Sequence, residues 1–152
     1  MKRGSLYAWA DAIRAKPGLP DVADHTWVTS YDAPYSGAPP APDFWFCRGE
    51  SRDAGADLPA RLLVSTDADL SVATQIGLPN DPAADYGIRY GVDGVCHQMA
   101  NRVLLASLAD TKPVVSGAKL YKLSALFFGV YGRNFAAWLA TSPLPRTPPD
   151  AE

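Results

Sequence analysis

The run Gly91-Val-Asp-Gly94-Val-Cys96-His97-Gln98 places a thiol just after a glycine-punctuated turn, at the head of a segment with helical character from Val95 to Leu108. A cysteine in that position has two sources of activation. The positive end of the helix macrodipole and the unpaired amides of the first turn favour thiolate over thiol. The same amides can donate to the oxyanion that develops in acyl transfer. Glycines at 91 and 94 permit positive φ and close backbone approach, so a substrate carbonyl could reach the sulfur. Helical spacing groups Cys96 with Met99, Ala100, Val103 and Leu104, while His97, Asn101 and Arg102 point elsewhere. Cys96 therefore looks inward at the first turn. The competing reading, a small buried hydrophobe on a core helix, stands beside the nucleophile reading.

The chain holds two cysteines and two histidines, so partners for the thiol are few. His97 is adjacent in sequence, but residues i and i+1 do not face each other on a helix, and it reads as a capping or solvent-facing residue. His25 is the better base. It opens a strand-like segment after the polar run from Asp21 to Asp24, where it could take the thiol proton and later return it to a leaving amine; a surface histidine at a strand edge is the alternative. A third group must orient the imidazole, and Asp43, Glu50 and Asp32 are the options, with none assigned. Cys47, among Phe44, Trp45, Phe46 and Arg48, reads as core filler. Gln98 is polar and Asn101 fits a solvated position. Tyr86, Tyr90, Tyr121, Tyr131 and Trp138 read as core aromatics rather than a ligand platform. Zinc held by Cys47, Cys96, His25 and His97 is a further alternative, but neither CxxC nor HxxxH spacing occurs.

Several elements must position these groups. Leu6, Trp9, Ala10 and Ile13 follow helical spacing, which predicts a first helix over Leu6 to Lys16 after a Ser5 cap and before Pro17-Gly18. His25 to Tyr31 and Asp43 to Cys47 are rich in β-branched and aromatic residues and predict two strands joined by a long Pro/Gly/Ala loop. Arg61 to Ser65 predicts a third, and Leu70 to Ile76 is an apolar run that periodicity does not assign. Leu78 to Asp85 reads as a surface loop. Val114-Val115 and Ala118 to Leu123 predict one or two further strands, Ser124 to Phe128 is an apolar run, and Asn134 to Ala140 predicts a last short helix. No internal repeat is present. One globular domain over residues 1–142 and a proline-rich flexible tail over 143–152 follow from this reading.

Composition narrows the function. With 152 residues, 47% apolar and 20% charged, the chain suits one domain with a buried core. A formal net charge of -2 lacks the basic footprint that nucleic acid requires. No stretch approaches a membrane span, and the first residues lack a signal-peptide apolar core, so the expected location is cytoplasmic, or outside the cell by a route without a cleavable signal. Two cysteines are too few for a disulfide scaffold.

A strand beginning with His25, further strands, and then a glycine-led helix starting with Cys96 and a following strand resembles the circularly permuted branch of the NlpC/P60 papain-like superfamily, over residues 25 to 123. In that branch histidine precedes cysteine. The elements read as an α+β fold, a small mainly antiparallel sheet packed on the Cys96 helix, and the resemblance implies that it is papain-like. It also implies a Cys96 nucleophile, a His25 base, and cleavage or transfer at an amide or ester. The expected activity is thus a cysteine hydrolase, an amidase or, as a variant, a side-chain deamidase of the secreted-effector kind, acting on a peptide or protein amide without cofactor or metal. A non-catalytic interaction module, using the aromatic surface or the proline tail with Cys96 in the core, is the alternative class.

Overall fold

The computed structural model describes residues 1–12, 23–34, 44–45, 60–77, 87–142 and 144. They form an α+β unit. Strands β1 (Arg3–Ala12), β2 (Asp24–Thr29), β3 (Phe44–Trp45) and β4 (Arg61–Asp69) make an antiparallel sheet of order β3-β2-β1-β4. Four helices follow or intervene: α1 (Leu70–Ile76), α2 (Cys96–Leu104), α3 (Tyr121–Phe128) and α4 (Phe135–Thr141). None of the described helices is long and apolar enough to cross a membrane.

The first segment is a strand, not the expected helix. Leu6, Trp9 and Ala10 fit a period of 3.6, but Leu6, Ala8 and Ala10 equally fit a period of 2, and β1 is hydrogen-bonded on both edges, to β2 and to β4. A central strand buried on both faces has no polar side to betray its period. Leu6 and Ala8 join Val28 and Ala68 in the core against α1 and α2. On the opposite face Trp9 lies across from Trp27, and Tyr7, Tyr31 and Ala60 pack on that pair.

β2 matches the strand expected over His25 to Tyr31, β3 falls within the one expected over Asp43 to Cys47, and β4 matches the one expected over Arg61 to Ser65 and runs on to Asp69. There the Asp69 carboxylate accepts from the Ser71 amide at 3.0 Å and caps α1, which resolves the ambiguous run Leu70 to Ile76 as a helix. α2 starts at Cys96 as expected, and all nine of its residues are buried.

The strands expected over Val114-Val115 and Ala118 to Leu123 do not form. Val115 gives its amide to the Asn101 side chain at 2.8 Å, and the Ala118 amide closes a turn onto the Val115 carbonyl, so the backbone is committed to turns before α3 begins. α4 falls where the last helix was expected. The expected loop over Leu78 to Asp85 and all of the proline-rich tail except Leu144 lie outside the described residues.

Candidate functional site

The segment leading to Cys96 is shaped by one ion pair. Asp93 accepts from the Arg89 side chain and main-chain amide at 3.0 Å, closing a turn in which Gly91 has φ +79°. Arg89 beside it, and a weaker contribution from Arg102, hold the Asp93 carboxyl below the usual carboxylate range against the opposing effect of burial. Gln98 then takes the Val95 amide onto its side-chain oxygen at 2.9 Å, fixing the start of α2.

Cys96 thus occupies the first turn and looks inward, as the spacing predicts. It is 3% exposed and packs in the main core, and its thiol lies 3.8 Å from the main-chain oxygen of Asp24.

His25 does not share that side of the sheet. Alternation along β2 sends Val28 toward α2 and Trp27 the other way. His25, two residues before Trp27, has its ring stacked on the indole at 5.5 Å. The expected Cys96–His25 pair is therefore corrected: the sheet stands between the two side chains. A strand start brings the His25 backbone near the thiol, but residue parity decides where the ring goes.

His97 is corrected in the other direction. It is buried, not solvent-facing, with Nδ1 2.8 Å from Ser124 Oγ and Nε2 2.9 Å from the Asp24 main-chain oxygen. A carbonyl only accepts, so Nε2 carries a proton. The ring bridges β2, α2 and α3 instead of serving the adjacent thiol. The Asp24 side chain beside it would be raised by burial, but the Arg61 guanidinium and the Lys119 amide outweigh that and leave its pKa lowered. Among the described residues no three His, Cys, Asp or Glu side chains converge as metal ligands. The zinc alternative also needs His25 and His97 on one ion, and they lie on opposite faces. Cys47, Asp43 and Glu50 lie outside the described residues.

The chain matches no protein-family model, no curated protein and no solved structure.

A second feature is built from α2 itself. Gln98, Asn101 and Arg102 stand at i, i+3 and i+4, one stripe of the helix, and donate to three consecutive carbonyls: Gln98 to Gly129 at 3.2 Å, Asn101 to Val130 at 2.8 Å and Arg102 to Tyr131 at 2.7 Å. Arg102 also donates to the Asn134 side chain at 2.6 Å, and its guanidinium lies over the Trp138 ring at 4.6 Å. Asn134 in turn donates to the Gly87 carbonyl. Gly132, at φ +99°, is required here: a Cβ would come within 3.0 Å of both Arg102 Nη2 and the Asp93 carbonyl oxygen. This polar stripe clamps the α3–α4 connection.

What the clamp presents outward is apolar. α3 turns Tyr121 and Ser124 inward, where Tyr121 receives a hydrogen bond from Asn101 and Ser124 is bonded to His97. Its outward face carries Leu123 at 57%, Leu126 at 84% and Phe127 at 59% exposure, and Val130 after it and Leu139 on α4 are exposed as well. α4 buries no residue. The helix is inside-out relative to the amphipathic rule. The sequence reading missed this face because it took Ser124 to Phe128 simply as an apolar run. Its available signal was the QxxNR spacing on α2, which marks a polar stripe too regular to be solvated filler.

Proposed function

We propose that this chain is a non-catalytic interaction module whose contact surface is the outward face of α3 and α4, with Cys96 a core residue. The observation that carries the reading is the inversion of α3: polar side chains inward on hydrogen-bond partners, leucine and phenylalanine outward in water. Burying a leucine or phenylalanine side chain is worth about 1.5–3 kcal/mol, and several such side chains left in solvent forgo that gain several times over. A face of this kind is useful when something covers it. The clamp from α2 supports the reading further, because a rigidly held surface loses little conformational entropy on binding. Hydrolysis at Cys96 has less support, since it needs an accessible thiol and a base on the thiol's side of the sheet.

The test is a photo-crosslinking amino acid placed at position 126 and, as a control, at position 62, where Leu62 is exposed on β4. Expected is an adduct at 126 in the producing cell that is absent at 62 and is lost when Phe127 is replaced by Glu. Equal adduct yield at the two positions, or none at 126, removes the reading.

A further inference from the structure

We infer that the α3–α4 face docks on the headgroup boundary of an anionic membrane, an inference that rests on reading this face as the contact surface. Charge supplies the argument. The chain is acidic overall, with 16 Asp+Glu against 14 Lys+Arg, yet its acidic residues leave the whole stretch from Thr111 to Pro149 untouched. Within that stretch the cations stand among the exposed apolar side chains. Lys122 is exposed one helical turn before Leu126, and Lys119 is exposed just before α3, beside exposed Leu120. Arg133 lies over the Phe127 ring at 4.3 Å and donates to the Phe127 carbonyl at 3.1 Å, so its charge sits within the patch. Asp24 and Asp93, which accept from the Lys119 and Arg133 amides, have their carboxylates already paired with Arg61 and Arg89. Leucine and phenylalanine pointing outward beside Lys122 and Arg133, in a stretch without an acidic residue, is the composition of an interfacial surface on anionic lipid.

Two other occupants fit less well. A second copy meeting through a two-fold axis would set Lys122 and Arg133 against their own counterparts, and the stretch from Thr111 to Pro149 supplies no acidic residue to offset them. A folded protein partner requires a shape complement, whereas Leu126, at 84% exposure, stands proud of its surroundings. A fluid acyl boundary accepts such a protrusion without a matching pocket. Insertion at this depth is interfacial and needs no spanning helix.

The experiment is flotation of the full chain with vesicles of phosphatidylcholine alone and with about 30% phosphatidylglycerol added. Expected is binding to the anionic vesicles only, weakening as ionic strength rises and the charges are screened. Lys122→Gln and Arg133→Gln should each weaken it about fivefold, and Leu126→Ser and Phe127→Ser each on the order of tenfold or more. These positions are exposed, and an unchanged circular dichroism spectrum shows that each variant is folded. Equal binding to neutral and anionic vesicles overturns the inference, as does no binding. If flotation fails while position 126 still gives a specific protein adduct, lipid is the wrong partner and the module reading stands; an adduct between two copies of the chain has the same meaning. If flotation and cross-linking both fail, the module reading falls with it.

Discussion

Replacing Arg102 with Leu should release the α3–α4 unit from the sheet. The guanidinium is fully buried, donates from Nε to the Tyr131 carbonyl at 2.7 Å and from Nη2 to Asn134 at 2.6 Å, and lies over Trp138. Hydrogen bonds from a charged donor are worth about 1.5–3 kcal/mol each, and the cation–π contact adds about 1–2 kcal/mol. Against this, leucine avoids the desolvation of a buried cation, which offsets part of the loss. The acceptors left behind set the sign: a main-chain carbonyl and an amide oxygen without their donor cost about 1–3 kcal/mol each. A net loss of about 3–5 kcal/mol results, roughly 10 °C in melting temperature for a domain of this size. Arg102→Lys should recover under half of it, because one ammonium cannot replace a planar fork. Hydrogen exchange gives the decisive measurement. Amides from 129 to 141 should exchange faster in Arg102→Leu, while β1, β2 and β4 keep their protection relative to global unfolding. A loss below about 1 kcal/mol, or a uniform fall in protection across the sheet, would refute the clamp.

Leu120, a non-glycine residue at φ +71° and exposed at the start of α3, should give up strain when replaced by Gly. Stability should rise by about 1 kcal/mol in urea unfolding while vesicle binding weakens, and a stability loss would show that the backbone there is relaxed. Cys96 in the native chain should react with iodoacetamide on the order of a thousandfold more slowly than in urea, read by mass spectrometry on its own peptide. Reaction at the unfolded rate near neutral pH would return the thiol to the candidate nucleophiles. Acid should unfold the protein through Asp24 and Asp93, whose pKa values are both lowered in the fold. A depressed carboxyl adds stability that is present above its unfolded value of about 3.9 and is lost as pH falls through its lower folded value. Stability measured from about pH 5 to pH 2 should therefore drop, with a shallower drop in Asp24→Asn. An unchanged slope in that variant would mean that Asp24 does not contribute.

Much of the architecture was legible in the residues. β-branched and aromatic density located β2 and β4, and the glycine-led start of α2 put Cys96 on its first turn facing inward. The errors share a cause. In β1 the apolar residues satisfy two periods at once, and only the flanking strands choose between them. At His25 the strand was read correctly, but the functional expectation depended on parity, and one residue of register moves a side chain through the sheet. The segment before α3 alternates like a strand, yet its amides are claimed by Asn101 and by turns, partners distant in sequence or absent from any propensity.

α3 is the most instructive case, because the rule that fails there is the one that reads helices. Periodicity assumes that apolar side chains seek the core and polar ones seek water. On α3 the inward positions are Tyr121 and Ser124, whose polar atoms meet Asn101 and His97 of α2, while the Tyr121 ring and Ala125 pack on the main core. A buried polar group is tolerated only when it is satisfied, so the stripe of α2 and the inner face of α3 specify each other. Once those inner positions are polar, the remaining leucines and phenylalanines have only the solvent side to occupy. The exposed face is thus a consequence of the buried network. Variants that break the network, such as Arg102→Leu, should weaken vesicle binding without touching a single exposed side chain. Intact binding in that variant, with α4 shown by hydrogen exchange to be released, would separate the surface from the scaffold that this account makes responsible for it.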